Sequence, residues 1–193
     1  RKKLWNWRPG TDKQTLAREV MSELLQHVDL VIGNEEDAAT VLGIHAEGTD
    51  VERGTINARA YEQVAGEIVA RFPQVSRVAI TLRQSISADH NNWGAMLFDA
   101  DQDRSFFAPL DDAGDYCPYE IRDIVDRVGG GDSFSAGLLY ALNSEEYGQP
   151  NQAISFATAA SCLKHSIQGD FNYVTVAEVA ALARGNATGR VQR

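Results

Sequence analysis

Apolar residues recur along this chain in two rhythms that take turns. Leu16, Val20, Leu24 and Val28 stand four apart with charged residues between them, which predicts a helix of about three turns. The run at 28–32, closed by Gly33, has the texture of a buried strand in a parallel sheet. Asn34-Glu35-Glu36-Asp37 then opens a helical stretch that ends near Leu42 and Gly43. Tyr61, Val64, Ala65, Ile68, Val69 and Phe72 form an amphipathic stripe stopped by Pro73, and 78–82 reads as a second buried strand. Two apolar-aromatic runs, 93–98 and 105–107, flank a polar 99–104, the pattern of a hairpin. A surface loop is expected at 111–115 and a last short strand at 121–125. Two helices follow, 133–142 and roughly 151–165; the second is small or apolar on nearly every side and should pack internally. Thr175 and Glu178 make a T-x-x-E capping box that starts a final helix.

Strands alternating with helices, without an internal repeat, imply a layered α/β sheet with helices on both faces. The length favours a single domain over 1–193, and 44% apolar residues suffice for one core. Ligands of such sheets gather at the carboxyl ends of strands. Asn34, Thr81 and Gly129 each follow a predicted strand and so are expected to face one crevice.

Charge narrows the partners. The formal net charge is -9, and no run of Lys or Arg follows Arg1-Lys2-Lys3, which argues against a nucleic-acid surface and leaves small molecules or protein. The two cysteines, Cys117 and Cys162, are far apart and outside any C-x-x-C, so a thiolate metal site is not expected and a reducing compartment is. No apolar run approaches the roughly 20 residues that span a bilayer. A cytoplasmic protein without membrane contact is the expectation. The chain starts on Arg1 within R-K-K-L-W-N-W, which suggests that the beginning of a longer protein is absent.

The candidate chemistry lies in D-R-V-G-G-G-D-S-F, residues 126–134. Three successive glycines, Gly129, Gly130 and Gly131, can turn their N–H groups toward one point, and a helix start directly behind them adds unsatisfied amides. That makes a concave anion site. Asp132 on its rim is suited to take a proton from a hydroxyl about to receive a phosphoryl group. It is equally an ordinary N-cap after a tight turn, and the residues alone leave both readings open. Ser133 invites comparison with G-D-S hydrolases, but the D-x-x-H partner they need is missing. His27, His45, His90 and His165 have no ligand-like spacing.

No G-K-[ST] follows the glycines, so this is not a P-loop. Gly129-Gly130-Gly131-Asp132 instead resembles the signature of the ribokinase-like sugar kinases. Together with V-I-G-N-E-E-D-A, I-T-L-R and the closing G-R-V-Q-R, it is similar to the bacterial 2-keto-3-deoxygluconate kinases of that family. The resemblance covers nearly the whole chain as the C-terminal, nucleotide-binding part. It implies a three-layer ribokinase-like sheet whose N-terminal portion and lid have no counterpart here, and an ATP- and Mg2+-dependent phosphorylation of a sugar acid.

Carried over by position, the resemblance makes Asp132 the catalytic base in contact with substrate, and Gly129, Gly130 and Gly131 the anion hole. It assigns ATP contacts to Asn34, Thr81, Arg83, Gly129, Gly131 and Thr158. Asn34 and Asp37 would meet the metal through water, where the family's N-x-x-E ends in Asp; without the resemblance, the pair reads as a variant capping box. Arg1 and Asp170 would face the sugar acid, Arg1 as the end of a D-x-N-x-R pattern and Asp170 from a loop that otherwise reads as a turn. Thr158 stands where relatives often place Asn near the adenine. Another sugar or nucleoside kinase, acting on ribose or fructose for instance, and a truncated nucleotide-binding module without turnover remain as alternatives. The resemblance leaves open whether the full-length protein forms a homo-oligomer.

Overall fold

The computed structural model describes residues 5–34, 36–46 and 57–185. Helix α1 (Lys13–Leu24) is capped by Asp12, whose carboxylate accepts the Thr15 N–H, and passes into a 3-10 turn, Leu25–His27. The expected stripe shifts there. Leu24 is exposed and Leu25 buried, because the tighter turn rotates the chain by a residue. Strand β1 (Leu30–Asn34) leads to a single π-helical turn, Ala38–Leu42, closed by the left-handed Gly43. Helix α2 (Ala60–Arg71) buries Tyr61, Val64, Ala65 and Ile68, the stripe expected from sequence.

Strands β2 (Arg77–Ser85), β3 (Asn91–Asp99), β4 (Arg104–Ala108) and β5 (Tyr119–Ile121) follow. The sheet runs β1-β2-β3-β4, with β5 antiparallel to the start of β3, Asn91 opposite Ile121 and Trp93 opposite Tyr119. It is mixed and carries helices on both faces, the layered α/β arrangement expected. Two expectations need correction. β2 continues to Ser85, so Thr81 sits inside a strand rather than past its end. The strand expected at 121–125 stops at Ile121; the next segment gives its N–H groups to non-strand partners, Ile124 to the Asp89 carbonyl and Val125 to that of His165.

By density of contacts the chain falls into two compact units, 1–80 with 98–105 and 81–97 with 106–193. In the first, Asp99 is buried at the end of β3 but paired, taking Arg77 Nε at 2.9 Å and the Gln102 N–H at 3.1 Å. A buried carboxylate left unpaired would cost several kcal/mol. In the second, helices α3 (Gly130–Leu142), α4 (Pro150–Lys164) and α5 (Val176–Ala183) pack in sequence. Gly137 permits the close approach of α3 to α4, since a Cβ there would lie 3.1 Å from that of Ala160. Phe134 and Leu138 on α3 and Ile154 and Ala157 on α4 are fully buried, and each large side chain contributes roughly 1.5–3 kcal/mol. Thr175 and Glu178 form the expected capping box. Among the described residues no helix is long and apolar enough to cross a membrane.

Candidate functional site

The second unit carries the glycine loop. Gly129 takes φ +80°, a left-handed conformation, and a Cβ on it would collide with the main-chain carbonyl of Asp170. Both constraints demand glycine at this position. Gly130 opens α3, and the first helical hydrogen bond runs from the Ser133 N–H to the Gly129 carbonyl at 2.8 Å. Amides before that point have no partner inside the helix. The Gly130 N–H reaches the Arg127 carbonyl at 3.4 Å; those of Gly129, Gly131 and Asp132 meet no acceptor among the described residues. Gly131 is exposed and has nothing within 4 Å of where a Cβ would stand. Donors are thus left at the positive end of a helix beside open space, which is what an anion needs. The Asp132 carboxylate lies exposed on the same turn.

What holds the loop comes from behind it. The Ser161 hydroxyl, buried on α4, donates to the Gly130 carbonyl at 2.7 Å. His165 is buried too; its Nδ1 lies 2.8 Å from the Ser161 carbonyl, which can only accept, so that nitrogen carries the hydrogen. Burial holds the His165 pKa below its ordinary value, and the positive charges of Lys164 and Arg127 act in the same direction. Arg127 braces the loop sideways, giving Nη2 to the Ser87 carbonyl at 2.7 Å and to Asn91 Oδ1 at 3.0 Å. Asp126 accepts the Val128 N–H with one oxygen and the Gly169 N–H with the other, each at 2.9 Å. Ser161, His165, Arg127 and Asp126 were not among the site residues expected from sequence. Only Asp126 left a signal, as an Asx turn just ahead of the glycines.

Asp170 is exposed and its main chain touches Gly129, so the turn after α4 and the glycine loop are neighbours. Thr81 is buried within β2, and Arg83, two residues on and on the same face, is half-buried. Thr158 is a correction. It is fully buried in α4 with its hydroxyl on the Ile154 carbonyl at 2.7 Å, so it offers a nucleotide no surface. Arg1 and the closing G-R-V-Q-R lie outside the described residues. Ser133 is buried at the start of α3, unlike an exposed nucleophile.

In the first unit Asn34 and Asp37 cap one another. Asn34 Oδ1 accepts the N–H groups of Glu36 and Asp37 at 2.8 and 3.0 Å, and Asp37 Oδ2 accepts that of Asn34 at 2.8 Å. The variant capping box is therefore formed. Asp37 Oδ1 and Asn34 Nδ2 have no hydrogen bond among the described residues and remain for solvent. No group of three metal-ligating side chains occurs among the described residues.

No protein-family model and no curated protein matches the chain. Among solved structures it is similar to a 2-dehydro-3-deoxygluconokinase from Thermotoga maritima, at 39% identity and TM-score 0.75, over 93% of this chain and 49% of that one. A PfkB family carbohydrate kinase from Listeria grayi follows at 30% identity and TM-score 0.70, over 93% and 48%. The chain belongs to the ribokinase-like (PfkB) carbohydrate kinase family. It spans about half the length of these relatives, their C-terminal part. A ribokinase from Thermotoga maritima, 18% identical at TM-score 0.54, shares the ribokinase-like fold.

Proposed function

We propose that this chain is the nucleotide-binding part of a kinase that transfers phosphate from ATP to the terminal hydroxyl of 2-keto-3-deoxygluconate, giving the 6-phosphate and ADP. The observation that carries the reading is the row of uncommitted N–H groups at Gly129, Gly131 and Asp132 beside the exposed carboxylate of Asp132. The choice of sugar rests on the similarity to the Thermotoga maritima enzyme. ATP, with its magnesium, supplies the phosphoryl group. Asp132 takes the hydroxyl proton as the sugar oxygen bonds to phosphorus, and the amides of Gly129, Gly131 and Asp132 face the charge that collects on the transferred group; the Gly130 N–H, turned to the Arg127 carbonyl, leaves that row. Arg83 and Thr81 serve the nucleotide phosphates, and Asp170 the sugar.

Magnesium needs no cage of protein ligands, since it keeps several waters and binds mainly through phosphate oxygens. The outward atoms of Asn34 and Asp37 suit contact through such waters. A reaction fed by ATP also fits a cytoplasmic protein.

The test compares kcat/KM for 2-keto-3-deoxygluconate, ribose and fructose by sugar-dependent ADP release, using the protein as its source organism makes it. A preference for the keto acid, and a fall in kcat on the order of 10²- to 10⁴-fold in Asp132→Asn with ATP affinity unchanged, are expected. A preference for ribose or fructose moves the substrate assignment, and a near-normal kcat in Asp132→Asn removes that residue as base. The 193-residue chain alone should bind ATP weakly and turn over little, because an open site leaves the reacting groups to water.

A further inference from the structure

The most unusual side chain in the second unit is Lys164, the last residue of α4. It is fully buried, and its Nζ donates to the Ile167 carbonyl at 2.9 Å. Lysine is almost never fully buried unless it is paired. An apolar side chain would pack into this space without the cost of desolvating a charge, so a need for the charge itself has to be found nearby. The turn that Lys164 holds by its carbonyl runs directly on to Gly169 and Asp170, which in turn contact the glycine loop.

We propose that Lys164 and Asp126 are positioning residues which together hold the glycine loop in its donor-presenting conformation, acting from behind it through the turn at 167–170. Asp126 is the bridge. One oxygen fixes the Val128 N–H inside the loop, and the other fixes the Gly169 N–H on the turn. Lys164 anchors the same turn two residues earlier, at Ile167. Directly after these two ties the carbonyl of Asp170 stands against Gly129, the residue whose left-handed φ starts the run of uncommitted amides. The Asp126 carboxyl lies below its ordinary range, chiefly through the Val128 and Gly169 N–H groups, with the positive charge of Lys164 adding to the effect. An apolar residue at 164 would leave the turn without its tie, and Asn at 126 would set an NH2 group against one of the two N–H donors. Neither residue touches a reacting atom; both act on the aim of the loop amides.

The inference rests on the kinase reading for its kinetic arm only. In the protein as its source organism makes it, amide hydrogen exchange over 126–132 and 166–170 is compared between the wild type, Lys164→Met and Asp126→Asn. Both variants should exchange there on the order of tenfold faster, with peptides of α1 unchanged. Turnover should fall by about 10²-fold with KM for ATP and sugar within about threefold, because mis-aimed donors cost the transition state more than the ground state. Combining the two substitutions should add little, as expected of parts of one device. Unchanged exchange in a folded Asp126→Asn protein overturns the proposal, and so does exchange that rises evenly throughout the chain. If Lys164→Met fails to fold, the near-isosteric Asp126→Asn decides. A wild type without sugar-dependent ADP release would remove the kinase reading, while the exchange result would still decide the clamp.

Discussion

The helical entrances at 34–37 and 129–132 spend their backbone donors in opposite ways. At Asn34–Asp37 the side chains close the entrance: a carboxamide takes two N–H groups and a carboxylate takes a third. At 129–131 the residues that could have done so are glycines, and the N–H groups of Gly129, Gly131 and Asp132 meet no acceptor among the described residues. The same orphaned donors therefore serve stability in one place and recognition in the other. What separates the two is whether a side-chain acceptor stands within reach. An anion can bind where none does.

Gly129→Ala should break the open entrance most severely. A left-handed conformation costs an L-residue roughly 1–2 kcal/mol, and here a Cβ would also displace the Asp170 main chain, so a loss of at least ~2 kcal/mol is expected. Urea denaturation would measure it, and phosphate-dependent functions should disappear with it. Gly131→Ala separates binding from folding. Nothing occupies the space its Cβ would enter, and Ala is the better helix former by up to ~1 kcal/mol, so stability should hold or rise. The methyl group would nonetheless stand where an anion approaches, and affinity for a non-hydrolysable ATP analogue should drop on the order of tenfold by calorimetry. Unchanged affinity in that variant would mean that the anion does not sit at these amides.

Much of this contrast was legible before any coordinates. Three glycines in a row before a helical pattern point to open donors, and Asn34 with Asp37 reads as a capping box from spacing alone, because both are local features set by side chains within reach of their own backbone. The elements were legible for the same reason: Tyr61 to Phe72 shows its buried stripe directly. The supports of the loop were not. Ser161, His165 and Lys164 lie on a helix with little polar pattern, and their importance depends on which carbonyl α4 meets in space, information carried by packing rather than by neighbours in sequence. Thr158 shows the opposite failure. Position within a family placed it at a nucleotide, while its hydroxyl is spent on the preceding turn of its own helix.

Asn34→Ala tests the closed entrance. Removing an Asn cap costs about 0.5–2 kcal/mol, and both the Glu36 and Asp37 N–H groups lose their acceptor, so the upper part of that range is expected in denaturation. Nucleotide affinity should change less than in Gly131→Ala. A larger change would show that Asn34 meets the ligand more directly than through the metal's waters, and the contrast between the two entrances would narrow.

The finest test uses pH, because the open entrance is backed by a histidine. His165 is buried and its pKa is held below the ordinary 6.5, chiefly by desolvation. The unfolded chain therefore binds a proton in a range where the folded chain still resists it. Stability from this residue is complete above about pH 6.5 and is lost as the pH falls toward the lowered folded value. Protonation would also put a cation beside Lys164 and Arg127 and against the loop at Gly130, whose absent Cβ would stand 3.4 Å from the His165 ring. Denaturation midpoints taken between pH 7.5 and 5.5 should thus fall more in the wild type than in His165→Gln, and hydrogen exchange should place the added opening at 126–132 rather than at 34–42. Equal pH dependence in the two proteins would mean that the imidazole does not support the loop through its neutral form.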